Sequence, residues 1–218
     1  MAMQGAIFDM DGTLLDSMEG WATAGERYLR RRGIEPRCGE ADCLLYQGMI
    51  GAAEHFRQEY GIEDDVQTII DGINAEVEEF YRTQATALPD VHAFLQALKT
   101  RGVKLCVATA TDRCLAQPTL ERLGLMPFFE RMFTCTELRT DKTSSCIYDT
   151  ATAFMGTPKE ATWIFEDASY AVRTAKAAGY PVCAIYDRFE KRAAYLKSTA
   201  DIYIENYGEA LEKPALSW

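Results

Sequence analysis

Two aspartates one residue apart, Asp9 and Asp11, follow the apolar run Gln4-Gly-Ala-Ile-Phe8. The run reads as a buried strand, and Gly12 behind the acids reads as a sharp turn. In extended backbone residues i and i+2 point the same way, so both carboxylates face one small site. Two like charges so close raise one pKa unless a cation lies between them. A Mg²⁺ ion, which takes a few carboxylates together with water, answers that need. An ordinary Asp-Gly surface turn accounts for the same residues. A calcium loop does not: it needs Glu at its twelfth position, which counted from Asp9 is Gly20.

Further polar residues stand at or after the ends of other apolar runs. Thr162-Trp-Ile-Phe165 ends in Glu166-Asp167. If that strand neighbours the first, at a spacing of roughly 4.8 Å, all four acids converge. The alternative is an acidic pair capping the helix that starts near Ser169. Val103-Lys-Leu-Cys-Val-Ala108 ends in Thr109. Its hydroxyl and the backbone N–H groups that follow can hold phosphate oxygens, although Thr is equally at home as a helix N-cap. Lys142 follows the run 131–135 and is either a point charge for phosphate or a solvated loop lysine.

Positioning these residues takes a sheet. Strands are expected at 4–8, 103–108, 131–135, 162–165, 182–186 and 201–204. Helices lie between them, among them 91–100 and 169–178, the latter stopped by Gly179. This alternation predicts an α/β fold whose mostly parallel sheet is covered on both faces and binds ligands beyond the carboxyl ends of its strands. Residues 16–85 break the alternation with helices only, at 20–32, 51–60 and 64–81. They read as an all-helical insertion after the first strand, between core segments 1–15 and 86–218.

In order, Phe8-Asp-Met-Asp-Gly-Thr-Leu-Leu-Asp-Ser17, Thr109, Lys142 and Glu166-Asp167 resemble the four motifs of the haloacid dehalogenase superfamily of phosphohydrolases. The resemblance spans nearly the whole chain, and the helical insertion is similar to the α-helical cap of the phosphoglycolate phosphatase and β-phosphoglucomutase branch. It implies a Rossmann-like core, Mg²⁺ as cofactor and Asp9 as a nucleophile that forms an aspartyl-phosphate. It implies Asp11 as acid-base, with its main-chain carbonyl among the metal partners beside Asp9, Glu166 and Asp167. Thr109, the N–H of Ala110 and Lys142 then hold the transferring oxygens. Thr143 stands where the family has proline, and Ala168 and Ala171 where it has Ser and Gly. Asp11, absent from the parent dehalogenases, argues for phosphate chemistry.

Within the insertion, Trp21, Tyr46, Gln47, Met49 and Arg57 are candidate substrate contacts. The segment Tyr46-Gln-Gly-Met-Ile-Gly51 is expected as a loop between cap helices, where related enzymes choose their substrate. The plainer readings are a core aromatic for Trp21 and a solvated helix face for Arg57 and His55. A sugar phosphomutase is the alternative enzyme, but such enzymes carry a cap histidine that Ser17-Met-Glu-Gly-Trp21 lacks. A phospho-receiver module is the alternative outside enzymes. Its acids are adjacent after the first strand, and it has no large helical cap.

The net charge of −10 disfavours capture of nucleic acid or an anionic membrane and leaves a small phosphorylated metabolite as the expected partner. No apolar run reaches the roughly 18 residues of a membrane span, and no signal peptide is read at the N-terminus. Seven cysteines without a C-x-x-C pair fit a reduced cytoplasmic protein. A monomer or weak dimer is expected.

Overall fold

The computed structural model describes residues 2–37 and 41–213, without the side chains of 41–48. The chain divides into two compact units, Met1–Asp16 with Thr86–Trp218, and Ser17–Ala85. The first unit opens with β1 (Gly5–Phe8) and β2 (Leu15–Asp16). The second holds α1 (Met18–Arg31), α2 (Ala41–Tyr60) and α3 (Val66–Thr83). The first then resumes with β3 (Thr86–Ala87), α4 (Val91–Thr100), β4 (Lys104–Thr109), α5 (Arg113–Arg122), β5 (Arg131–Thr134), α6 (Cys135–Leu138) and α7 (Cys146–Met155). It closes with β6 (Thr162–Glu166), α8 (Ser169–Ala177), β7 (Val182–Ile185), α9 (Ala193–Thr199), β8 (Ile202–Ile204) and α10 (Tyr207–Glu212).

Six strands form one parallel sheet in the order β5-β4-β1-β6-β7-β8. All residues of β1 are buried, as expected of a central parallel strand covered on both faces. Side chains alternate across it. Ile7 packs with Cys106, Ile164 and Val182 against Ile147, Tyr148 and Val172. Phe8 points to the other face, stacks on Phe165 at 4.2 Å and meets Phe94 and Phe129 edge-on. The strand order reverses at β1, and its flanks β4 and β6 run out in the same direction. That is the switch point where open α/β sheets take ligands.

Within the helical unit, α1 and α3 pack closely. A Cβ on Gly20 would lie 2.3 Å from the Phe80 ring, so the helices could not approach as they do with a larger residue there. Asp65 caps α3 by accepting from the N–H of Thr68 at 2.9 Å. The loop expected at 46–51 is instead part of α2. Two glycines cost a helix roughly 1 kcal/mol each, but Ala52, Ala53 and Phe56 on the same helix are fully buried, and packing overrides propensity. Where the sequence suggested bare tethers, Leu15 and Asp16 pair antiparallel with Ala87 and Thr86. No helix among the described residues is long and apolar enough to cross a membrane.

Candidate active site

Phe8 of β1 is in register with Phe165 of β6, so Asp9 and Glu166 leave the sheet side by side. The N–H of Asp9 extends the ladder by donating to the carbonyl of Phe165 at 3.0 Å. Asp9, Glu166 and Asp167 are all buried, and one oxygen from each lies within 4.8 Å of the others. Buried Lys142 forms an ion pair with Asp9 Oδ1 and lies 2.5 Å from Glu166 Oε1. The same Glu166 oxygen accepts from the Tyr148 hydroxyl at 2.9 Å, while Thr13 donates to Asp167 Oδ1 at 2.9 Å.

This group holds three carboxylates and one ammonium. Burial raises Asp9 to about 6, with Lys142 opposing and Glu166 adding. Burial also pushes Asp167 well above the usual carboxylate range, and Asp9, Glu166 and Asp187 push it further. Burial alone would lower Lys142, but Asp9 and Glu166 outweigh it and hold the amine well above its ordinary value. An all-oxygen donor set with surplus negative charge fits a hard divalent cation such as Mg²⁺. Gly12 makes the close approach possible. Its φ is +73°, and a Cβ there would lie 2.5 Å from Asp167 Oδ2 and 2.8 Å from Asp187 Oδ2.

The end of β4 supplies a second set. Buried Thr109 accepts the N–H of Thr111 at 3.0 Å, and its own O–H stays a donor. Ala110 between them is exposed. Asp11 departs from the expectation that four acids converge. It is not in the three-carboxylate group, and its Oδ2 accepts from the Thr111 hydroxyl at 2.6 Å. The reason is local: the strand has ended at Phe8, and the bend at Met10 breaks the alternation between the two aspartates.

The insertion candidates are less concentrated. Trp21 donates from Nε1 to the Tyr81 hydroxyl at 2.7 Å and meets that ring edge-on, which anchors it within the helical unit. Met49 is half-buried and Arg57 exposed on α2. The side chains of Tyr46 and Gln47 lie outside the described residues. Four contributors escaped the sequence reading. Thr13 sat inside the first motif without a role, and Thr111 stood two residues past Thr109 without one. Asp187, two residues past the end of β7, carried the same signal as Asp9: an acid beyond a buried run. Tyr148 had no signal, because its position on α7 gives no hint that its hydroxyl reaches Glu166.

Comparison with known proteins identifies the family. The family model for haloacid dehalogenase-like hydrolases matches residues 6–185. The phosphorylated carbohydrates phosphatase of Thermotoga maritima is 26% identical over 182 residues, covering 81% of this chain and 82% of that protein. A phosphoglycolate phosphatase of Neisseria meningitidis is 27% identical over 183 residues, covering 81% and 77%. The structure of CbbY from Rhodobacter sphaeroides in complex with phosphate superposes with a TM-score of 0.80 at 19% identity, covering 99% of this chain and 100% of that one. With the match running from β1 through β7, the chain belongs to the haloacid dehalogenase-like hydrolases and is an enzyme.

Proposed function

We propose that the protein is a Mg²⁺-dependent phosphatase of small phosphorylated metabolites with Asp9 as its nucleophile. The observation that carries this reading is the buried group of Asp9, Glu166 and Asp167 with Lys142, at the carboxyl ends of the two central strands. The phosphatases among its relatives support it.

Asp9 Oδ attacks phosphorus, the bond to the leaving oxygen breaks, and Asp11 gives that oxygen a proton. Water then attacks the aspartyl-phosphate, its proton passes to Asp11, and the Asp9–phosphorus bond breaks to release phosphate. Lys142, the Thr109 hydroxyl and the Ala110 N–H hold the transferring oxygens, since positioning and charge stabilisation are most of what phosphoryl transfer needs. Asp9, Glu166 and Asp167, with the Asp11 carbonyl, would hold the cation, which supplies charge neutralisation between an anionic nucleophile and an anionic substrate. The helical unit is assigned the choice of leaving group.

Hydrolysis is favoured over mutase transfer because the segment after the first motif has no histidine. Of the two in the chain, His92 has its Nε2 2.9 Å from the Leu123 carbonyl, and His55 lies on α2 against Phe56 and Tyr60. The test is a phosphate-release screen over small phosphorylated metabolites, with Mg²⁺ and with EDTA. Release that EDTA abolishes is expected. Release indifferent to EDTA, or none from any substrate, contradicts the reading.

A further inference from the structure

Thr111 is 5% exposed as a residue, and its hydroxyl donates a part-buried hydrogen bond to Asp11 Oδ2 at 2.6 Å, across 100 residues of sequence. The same residue's N–H donates to Thr109 Oγ1 at 3.0 Å. One residue therefore ties the side chain assigned to proton transfer to the hydroxyl assigned to the phosphoryl group. We infer that Thr111 is a positioning residue that aims Asp11 at the leaving oxygen; this rests on the acid-base role proposed above for Asp11.

The physical argument is one of rotamers and lone pairs. Asp11 follows the end of β1 and sits beside a positive-φ glycine, so backbone pairing in the sheet does not fix its χ angles. The Thr111 hydroxyl, just past the neighbouring strand end, restrains them. The donated hydrogen bond occupies one acceptor site of Oδ2 and restrains the carboxylate's orientation. The Thr111 N–H likewise takes one acceptor site of Thr109 and orients its O–H for donation. Threonine suits both tasks because β-branching restricts its own χ1.

Leaving-group dependence separates this role from a merely structural one, because p-nitrophenolate departs without protonation and an alkoxide does not. Thr111→Val and Thr111→Ser are compared with the wild type in Mg²⁺, using single-turnover release of p-nitrophenol from p-nitrophenyl phosphate and of glycerol from glycerol 2-phosphate. The valine variant is expected to lose on the order of tenfold to a hundredfold on the alkyl phosphate, the worth of one hydrogen bond to a charged group. It should change less than about threefold on the aryl phosphate, and serine should restore most of the difference. Equal losses on both substrates, or no loss on either, overturn the inference. If the valine variant does not fold, Thr111→Ala is read by the same ratio. Asp11→Asn is run in parallel. If it discriminates between the two substrates while Thr111→Val does not, only the role of Thr111 fails; if it does not discriminate, the acid-base reading of Asp11 fails as well.

Discussion

Two buried glutamates, Glu76 in the helical unit and Glu166 in the sheet unit, answer burial in opposite ways. Glu76 on α3 is 4% exposed and meets two arginines from α1. Arg31 Nε lies 2.5 Å and Arg27 Nε 3.9 Å from its oxygens. Cations there outnumber the buried acid, and Arg31 is itself solvated, so the charge is matched and cheap to hold. Glu166 is fully buried, shares a single lysine with Asp9 and has Asp167 beside it. Burial of charge is tolerated where it is compensated. The helical group is complete as a structural clamp, whereas the sheet group, three carboxylates against one ammonium, calls for a cation.

The comparison breaks most sharply at Lys142. Lys142→Met should destabilise the metal-free protein by about 3–5 kcal/mol, because it leaves buried carboxylates without their counter-charge. Urea melts should show that deficit growing from pH 5 to pH 8. The sign follows from the acids. Asp9, already raised to about 6 by burial with Lys142 in place, is protonated at the low end and ionised at the high end. Glu76→Gln should cost less, about 1–3 kcal/mol, since it removes one charged acceptor and leaves its arginines able to reach water. A deficit as large as that of Lys142→Met would erase the distinction between the two groups.

The two units differ in the opposite sense when an acid is neutralised. Asp167→Asn keeps an acceptor for Thr13 and removes one of the unmatched charges. It should stabilise the metal-free protein by about 1 kcal/mol, whereas added Mg²⁺ should stabilise the variant less than the wild type. Calorimetry with and without Mg²⁺ reads both. The smallest effect concerns thiols. Burial, with Glu130 adding, pushes Cys106 up to about 12, while Cys114 and Cys146 are exposed. At pH 8 a maleimide should label the exposed pair quickly and reach Cys106 only on unfolding. Rapid labelling of Cys106 in the folded protein would mean that the sheet interior beside the site is not dry.

The sheet was legible because buried parallel strands read as apolar runs with polar residues at one end. All six strands fall within a residue or two of their expected places. The adjacency of β1 and β6 had to be supposed, since no local signal gives strand order. Lys142 was found through its place in a motif series, because its contacts depend on a loop closing back over β1 and β6. Asp11 shows the limit of periodicity: alternation holds while the chain is extended, and the chain bends at Met10 before it reaches the second acid, whose Oδ2 meets Thr111. The glycines of α2 read as a loop because their propensity is local, whereas the burial that keeps them helical is tertiary.

The central claim is that Asp9 carries the phosphoryl group, and the most direct measurement is turnover by Asp9→Asn on whichever substrate the screen identifies, at saturating Mg²⁺, with melting curves recorded on the same sample. A folded variant slowed by roughly 10⁴-fold or more is the predicted result. A folded variant within about tenfold of the wild type contradicts the account.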